Sequence, residues 1–381
     1  MASYHTHIYN QTLLFYHPSM SSIANAIDIA NSNITLGSLK KKPNESPGEP
    51  EDTNWPVFAD GWPDLFIENL HQVKVSNCVF LASFDSPANI FEQLAVIYSL
   101  AANQARNFKV IIPWFPTGTM ERVSDPGEIA TASTMARLLS AIPPSVTGAN
   151  VLSFLDIHAL QEQFYFRDKV QIELKTGMGL LFTNRDVKLT TSDIIAFPDD
   201  GAYKRYKRMF KNYTVVVCEK RRTSDGTEVV IKDAPDIGDA MRIFIVDDMI
   251  QSGGTMIDCA TVIRNKYGTK IQINMFATHG VFPEKTIDTI NPSTLAIKYQ
   301  FDNIGKTTWP SWYCFLEEPA VHCVYVTNSI PKNEANEVEA TEFMKEMAGE
   351  CNNPKVKFKC LNITPVVTSI INLTDDKMYD S

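Results

Sequence analysis

The chain contains 381 residues, of which 44% are hydrophobic and 21% charged, and it carries a formal net charge of −9 at pH 7. This composition excludes an intrinsically disordered chain, and the length allows two domains with separate hydrophobic cores. The acidic balance argues against broad binding to nucleic acid or to an anionic membrane, so any phosphate chemistry has to use local basic clusters.

The sequence also lacks the marks of a membrane or secreted protein. No stretch reaches the ~18 consecutive apolar residues that a membrane span needs, and the start, MASYHTHIYN, has no signal-peptide pattern. We therefore expect a cytoplasmic protein. The seven cysteines form no C-x-x-C pair, and several lie in apolar runs. We expect buried, reduced thiols rather than disulfides or a metal site.

Apolar strand-like runs alternate with helix-like runs, which predicts parallel sheets with helical connections. In chain order, strands are predicted at 78–84, 109–115, 150–158, 193–201, 213–220, 242–248, 270–280, 321–328 and 355–363. Helices are predicted between them at 90–105, 128–142, 202–211, 254–267 and 334–348. The Pro-, Glu- and Ser-rich stretch 40–54 has no apolar period, so we expect an exposed loop insertion there.

The rhythm of these elements indicates two tandem α/β domains. We assign the first to residues 1–168, with the 40–54 loop as an insertion, and the second to 169–350. Residues 351–381 add a strand and a helix that can pack back on the N-terminal domain.

The segment RIFIVDDMIQSGGTM, residues 242–256, combines an acidic strand end with a glycine-rich turn. A buried strand at 243–246 is predicted to end at Asp247 and Asp248, and Gly253 and Gly254 precede a helix. Such a loop turns backbone N–H groups inward and lets an anion approach the positive end of the helix. Two carboxylates suit sugar hydroxyls, or a Mg²⁺ shared with them. The segment therefore predicts a sugar-phosphate site, with a ligand-free acidic turn as the alternative.

Two further stretches place polar residues at predicted strand ends, where ligand sites of α/β proteins lie. In FLDIHALQEQFYF, a strand ends at Asp156 and His158 follows it; the alternative is an ordinary packed histidine. In FPDDGAYKRYKR, Asp199 and Asp200 end a strand and precede a basic helix. The alternative for those basic residues is a solvated helix surface.

Three stretches carry weaker signals. CEKRR, residues 218–222, delivers basic side chains into a polar segment that resembles the flexible tip of a hairpin, although ordinary surface charge has the same pattern. FADGWPDLF, residues 58–66, contains a turn beside an aromatic residue that can stack on a nucleobase, or simply a turn with core aromatics. PWFPTGTMERV, residues 113–123, is a strand followed by a polar loop with Arg122.

Taken together, these stretches resemble the ribose-phosphate pyrophosphokinase family, in the same order over roughly residues 55–372. The strings FPTGTMER, DIHALQEQFYF, FPDDGA and VDD with QSGGT and THGVFP are similar to its plant-type class II branch. The resemblance implies an α/β fold of two tandem type I phosphoribosyltransferase-like (Rossmann-like) domains with parallel sheets.

The resemblance also implies roles for individual residues. The ribose 5-phosphate site would consist of Asp247, Asp248, Gln251, Ser252, Gly253, Gly254 and Thr255. The ATP site would include Phe58, Asp60, Trp62, Arg122 and His158, with the first three contributed by a neighbouring subunit. His158 and Asp199 would bind Mg²⁺, and the catalytic residues would be Lys220, Arg222 and His158.

The implied activity is transfer of the diphosphoryl group of ATP to ribose 5-phosphate, with Mg²⁺ as cofactor. The implied assembly is a homo-oligomer built from dimers, with a trimer or a hexamer as open alternatives, and neither nucleic acid nor membrane is an expected partner. One rival is a phosphoribosyltransferase that consumes phosphoribosyl diphosphate; it explains 242–256 but not 154–166 or the two-domain length. Another rival is a non-catalytic regulatory homologue, whose mark would be loss of the loop charges that Lys220 and Arg222 supply.

Overall fold

The computed structural model describes residues 11–40, 55–68, 70–117, 120–167, 169–223, 226–286, 308–315, 318, 320–348 and 357–372. They form two units, one made of the described residues of 1–177 and 362–375 and the other of those of 178–361. The division follows residue 177, whereas the sequence analysis expected it after 168. The predicted insertion at 40–54 lies outside the described residues, apart from Lys40.

The described strands of the first unit form one large sheet and one small pair. They are β1 (Thr12–Tyr16), β2 (Ile34–Leu36), β3 (Leu39–Lys40), β4 (Phe66–Ile67), β5 (Asn77–Leu81), β6 (Asn107–Ile112), β7 (Asn150–Leu155) and β8 (Val170–Lys175). The large sheet has the order β2-β1-β5-β6-β7-β8 and every neighbouring pair in it is parallel. Strands β3 and β4 pair antiparallel beside it.

The second unit is built on a longer sheet. Its described strands are β9 (Ile194–Phe197), β10 (Thr214–Thr223), β11 (Gly226–Asp233), β12 (Arg242–Ile250), β13 (Gln272–Gly280), β14 (Glu284–Thr286), β15 (Thr308–Pro310), β16 (Val321–Thr327) and β17 (Lys357–Leu361). The sheet has the order β11-β10-β9-β12-β13-β16-β17, and only the β10–β11 edge is antiparallel. These sheets confirm the predicted α/β class with mainly parallel strands.

Helices connect the parallel strands in both units. The described α-helices are α1 (Ser21–Ala30), α2 (Leu70–Val73), α3 (Pro87–Ala102), α4 (Thr131–Ser140), α5 (Leu180–Thr183), α6 (Asp200–Tyr206), α7 (Gly254–Tyr267), α8 (Lys332–Ala348) and α9 (Thr364–Ile371). Local sequence explains several of their starts. Ser86 caps α3 by accepting a hydrogen bond from the Asn89 N–H, with Pro87 at the first helical position.

Each sheet is buried by apolar side chains that its strands and helices contribute. In the first unit Phe15, Phe80 and Phe154 are almost fully buried, and in the second Ile245 and Met275 are. Both faces of these parallel strands are covered, which explains why their sequences read as continuous apolar runs.

The structure differs from the sequence-based prediction near both ends of the described chain. Strands β1 and β2 and helix α1 come from residues 11–40, where no element was predicted. In the C-terminal segment, β17 pairs with β16 in the second sheet, so among its described elements α9 alone packs on the first unit. There Lys109 Nζ donates to the carbonyl of Ile370 at 3.1 Å, and Asn372 Nδ2 lies 3.2 Å from Asn31 Oδ1.

The described cysteines are free thiols, as the sequence predicts. Four of them are buried, namely Cys78, Cys218, Cys259 and Cys323. Two are partly exposed, namely Cys314 and Cys360. Burial raises the pKa of Cys78 to about 12, which keeps that thiol protonated and unreactive at neutral pH. Cys351 lies outside the described residues.

Candidate active site

The strand that carries the two acids is longer than the sequence suggests. The sequence analysis ended it at Asp247 and Asp248, but β12 continues to Ile250, because Met249 and Ile250 remain in register with His279 and Gly280 of β13. Asp247 and Asp248 are therefore consecutive strand residues; strand alternation starts their side chains from opposite faces, but the two carboxyl groups still interact with each other.

The turn after β12 has the shape that the glycine pair predicts. Gly253 adopts φ +83°, a left-handed conformation that disfavours other residues, and α7 begins at Gly254. A Cβ on Gly253 would lie 2.5 Å from Phe315 Cζ, whereas a Cβ on Gly254 would meet only Ser252 Oγ at 3.9 Å. The helix thus begins with an open approach to its first backbone N–H groups, where anions bind.

Carboxylates gather beside this turn. Strands β9 and β12 are parallel neighbours, so Asp199 after β9 and Asp247 near the end of β12 reach the same edge of the sheet. Burial, together with the negative charges of Asp248 and Asp199, raises the pKa of Asp247 well above its ordinary value. Concentrated carboxylate charge of this kind favours a cation or hydroxyl donors as ligands.

Helix α6 supplies both a carboxylate and a cation to this cluster. Asp199 is its N-cap, since Oδ1 accepts a hydrogen bond from the Ala202 N–H at 2.9 Å. Arg205, in the last turn, forms an ion pair with Asp248 at 3.1 Å between Nη1 and Oδ2. The side chains of Arg205 and Asp248 are only 15% and 7% exposed, so water screens this pair weakly.

The predicted hairpin is formed by β10 and β11, with Lys220 opposite Val229 and Arg222 opposite Thr227. The exposed Lys220 and Arg222 share one face of β10, because alternate residues of a strand point the same way. Arg221 points to the other face and pairs with Glu219 at 2.6 Å. Residues 224 and 225 of the predicted flexible tip lie outside the described residues.

Two contacts anchor the base of this hairpin to the helices that border the acidic cluster. Cys218 Sγ on β10 lies 3.1 Å from Cys259 Sγ on α7, and both residues are fully buried. Lys232 Nζ of β11 lies 2.9 Å from both carboxylate oxygens of Asp200 on α6. The strand that carries Lys220 is therefore fixed at its root.

The remaining predicted site residues belong to the first unit. Asp156, just after β7, adopts φ +40°, and its buried carboxylate accepts hydrogen bonds from Thr176 Oγ1 and the Gly177 N–H. Asp156 thus holds the turn that presents the exposed His158. Farther along, the Tyr165 hydroxyl donates to the carbonyl of Glu121. The loop with Arg122 is thereby tied to the segment that follows His158.

The 58–62 segment forms a tight turn with exposed aromatic rings. The Phe58 N–H donates to the Trp62 carbonyl at 2.7 Å, and the Trp62 N–H lies 3.4 Å from Asp60 Oδ1. The side chain of Trp62 is 57% exposed and packs edge to face against Phe91 of α3, with ring centroids 5.2 Å apart. These rings offer a stacking surface, and Phe91 was not recognised from the sequence.

The sequence analysis included Arg205 only as one residue of a basic helix, with a solvated surface as the alternative, and in the structure its side chain is only 15% exposed. Ala202 and Tyr206 are buried, and Arg205 lies beside them on the covered side of α6. The helical spacing of these apolar residues was the available signal, since positions three and four apart share a face. Within the described residues, no group of three or more His, Cys, Asp or Glu side chains is arranged to bind a metal ion.

A scan against models of known protein families finds no match. Individual proteins do match. Ribose-phosphate pyrophosphokinase 4 of Arabidopsis thaliana is 42% identical over 275 residues, which cover 72% of this chain and 76% of that protein. The chain belongs to the ribose-phosphate pyrophosphokinase family. The chloroplastic ribose-phosphate pyrophosphokinase 3 of Oryza sativa is 41% identical over 286 residues, covering 74% of this chain but 65% of the rice protein, just under two thirds of its length.

A solved structure supports the fold. Phosphoribosylpyrophosphate synthetase from Mycobacterium smegmatis matches with a TM-score of 0.63 and 19% identity over 95% of this chain and 98% of that one. No helix in the described part of the chain is long and apolar enough to cross a membrane. The names of the rice relative and of a mitochondrial relative from Spinacia oleracea conflict mildly with the predicted cytoplasmic location.

Proposed function

We propose that the protein is a ribose-phosphate diphosphokinase that converts ATP and ribose 5-phosphate into 5-phosphoribosyl 1-diphosphate and AMP. The anomeric hydroxyl of the sugar attacks the β-phosphorus of ATP and loses its proton. The bond from that phosphorus to the oxygen bridging the α- and β-phosphates breaks, and the oxygen leaves with AMP. Such a reaction requires positioning and charge neutralisation from the protein rather than a covalent intermediate.

The observation that supports this proposal most is the glycine turn between β12 and α7, in a chain that belongs to the ribose-phosphate pyrophosphokinase family. The first N–H groups of α7 can receive the 5-phosphate, with no side chain at Gly254 to obstruct it. Asp247 and Asp248 can accept hydrogen bonds from the sugar hydroxyls. We assign Gln251, Ser252, Gly253 and Thr255 to the same loop, so that residues 251–255 hold the phosphate.

Mg²⁺ fits the chemistry of this edge of the sheet. Asp199 and Asp247 can supply the carboxylate oxygens that Mg²⁺ prefers, and a cation would balance the negative charges of Asp248 and Asp199, which add to burial in raising the pKa of Asp247. Mg²⁺ is commonly bound through one or two carboxylates plus substrate phosphates, so a dedicated group of three protein ligands is not required. When bound, it would neutralise charge on the phosphates of ATP.

Lys220 and Arg222 are proposed as the catalytic cations. They share one face of a hairpin that is fixed at its root and exposed farther out. Such groups can neutralise charge that develops on the transferred diphosphoryl group. His158 is proposed to contact the phosphates of ATP as a hydrogen-bond donor, because Mg²⁺ prefers oxygen ligands over imidazole. Its predicted role as a Mg²⁺ ligand stays untested.

We also propose that the protein is a homo-oligomer built from dimers. Phe58, Asp60 and Trp62 would bind the adenine of a neighbouring subunit, since an exposed indole can stack on a base. Arg122, whose side chain is largely exposed, would contact ATP. Whether these dimers assemble further into a trimer or a hexamer stays a prediction, as does the cytoplasmic location.

The test is to incubate the purified protein with Mg²⁺, ATP and ribose 5-phosphate and to follow AMP by chromatography and the new anomeric diphosphate by ³¹P NMR. Equal amounts of AMP and phosphoribosyl diphosphate are expected, and reactions without the sugar should yield neither. A phosphoribosyltransferase would instead consume phosphoribosyl diphosphate together with a base. A regulatory homologue would bind ligands without forming AMP, and either result would refute the proposal.

A further inference from the structure

The ion pair between Arg205 and Asp248 connects a helix to the acidic end of β12. Arg205 Nη1 lies 3.1 Å from Asp248 Oδ2, and both side chains are largely removed from water. Arg205 belongs to α6, the helix that Asp199 caps. Helix α6 therefore positions two carboxylates. It holds Asp199 at its N-terminus and Asp248 through the Arg205 guanidinium.

The position of Asp248 in an extended strand makes this contact consequential. Asp247 and Asp248 start from opposite faces of β12, so adjacency in sequence does not by itself orient both carboxyl groups toward one ligand. The Asp248 N–H donates to Asp247 Oδ1 at 2.9 Å, which ties the Asp247 side chain to the local backbone. The Asp248 carboxylate is instead oriented by Arg205 from the side that α6 covers.

The arrangement of charge points the same way. Asp199 and Asp248 both lie close enough to Asp247 for their negative charges to act on it. A guanidinium beside this group offsets part of the repulsion, and its planar fork restrains rotation of the carboxylate that it contacts. A lysine ammonium would supply the charge without this directional restraint.

We propose that Arg205 is a positioning residue that orients the Asp248 carboxylate for the sugar hydroxyls of ribose 5-phosphate. This inference rests on the proposed function. It predicts that loss of Arg205 weakens recognition of the sugar phosphate and leaves recognition of ATP nearly unchanged.

The chain offers a matched control at the opposite end of the same strand. Arg242, the first residue of β12, binds Asp193 just before β9 through Nε at 2.7 Å and Nη2 at 2.6 Å. Arg242→Gln therefore removes a second arginine–aspartate pair that β12 makes, without touching Asp248. Its destabilisation measures the purely structural cost of losing such a pair.

The experiment compares the wild-type protein with Arg205→Gln, Arg205→Lys and Arg242→Gln. For each protein, KM for ribose 5-phosphate, KM for ATP and kcat are measured, binding of ribose 5-phosphate is titrated by calorimetry, and urea unfolding reports stability. Arg205→Gln should raise both KM and Kd for ribose 5-phosphate about 10–100-fold, the range for losing a hydrogen bond between a sugar hydroxyl and the charged Asp248 carboxylate. Arg205→Lys should retain part of the affinity, and Arg242→Gln should lower stability only.

A double variant tests whether Arg205 acts through Asp248. Asp248→Asn should itself weaken ribose 5-phosphate binding, and adding Arg205→Gln should change that affinity less than twofold, because the group to be oriented is already altered. Fully additive losses would overturn the proposal. Equal losses of stability in Arg205→Gln and Arg242→Gln with an unchanged KM for the sugar would also overturn it. If Arg205→Gln does not fold, a wild-type KM in Arg205→Lys counts against it. A wild-type protein that forms no AMP refutes the proposed function instead.

Discussion

Gly253 and Gly254 are adjacent, yet the structure predicts opposite consequences for replacing them. Gly253 has φ +83° and faces Phe315 and Cys314 at distances that leave no room for a Cβ. Gly254 is the first residue of α7 and faces open space except for Ser252 Oγ at 3.9 Å. Substitution at Gly253 should therefore act on stability, and substitution at Gly254 on ligand binding.

The cost at Gly253 follows from two effects. A left-handed conformation costs a non-glycine residue about 1–2 kcal/mol. A new Cβ only 2.5 Å from Phe315 Cζ and 2.9 Å from Cys314 Sγ overfills the core, for which ~1–3 kcal/mol is typical. Gly253→Ala should thus lower the free energy of unfolding by roughly 2–5 kcal/mol, the sum of these two ranges.

At Gly254 the same reasoning predicts an intact fold. Alanine replaces glycine in helices with a gain of up to about 1 kcal/mol, and valine is close to neutral relative to glycine. The isopropyl group of Gly254→Val, however, would occupy the approach to the first N–H groups of α7. Losing one or more hydrogen bonds to a charged phosphate should raise KM for ribose 5-phosphate on the order of 10–100-fold.

The assay combines urea unfolding with steady-state kinetics and a calorimetric titration of ribose 5-phosphate. Gly254→Val should unfold at nearly the wild-type urea concentration and bind the sugar phosphate poorly, while Gly254→Ala lies between it and the wild type. Gly253→Ala should unfold at a lower concentration. Wild-type affinity in a stable Gly254→Val protein would refute the assignment of this helix end to the phosphate.

Three other predictions concern the remaining site residues. Lys220→Ala combined with Arg222→Ala should lower kcat by on the order of 10³–10⁵-fold with little change in ATP binding. Arg221→Ala is the matched control, and the catalytic role of Lys220 and Arg222 is refuted if this control lowers kcat the most. Asp199→Asn should keep the helix cap, because asparagine caps as well as aspartate, but should raise the Mg²⁺ concentration that half-saturates the enzyme; an unchanged Mg²⁺ dependence would exclude Asp199 as a ligand. Trp62→Ala should raise KM for ATP without changing kcat at saturation, and sedimentation of the wild-type protein under assay conditions should show an oligomer. A fully active monomer would contradict the proposal that a neighbouring subunit contributes to the adenine site.

Several parts of this protein could be predicted because their causes lie in neighbouring residues. Apolar runs identified the central strands, and the order of acids, glycines and a helix identified the β12–α7 turn. The left-handed conformation of Gly253 and the start of α7 follow from local sequence, since glycine is the residue that adopts this conformation freely. The alternation of side chains along β10 likewise separates Lys220 and Arg222 from Arg221.

Other features were missed because they depend on residues distant in sequence. Strand β12 extends to Ile250 only because β13 is long enough to continue the ladder, and no property of residues 247–250 reveals that partner. Strand β1 is a five-residue apolar run, too short to distinguish from other buried segments by periodicity. Its place beside β5 is set by the sheet that forms around it.

The sequence by itself determined the α/β class, the family and the composition of the sugar-phosphate loop, because strand periodicity, glycine geometry and charge are local properties. Tertiary structure alone decided that Arg205 pairs with Asp248, across 43 positions of the chain. It also decided that α9 closes on the first unit while β17 joins the second sheet. Such contacts form when packing brings distant residues together. Their energy depends on how deeply the side chains are buried, which no single segment of the sequence determines.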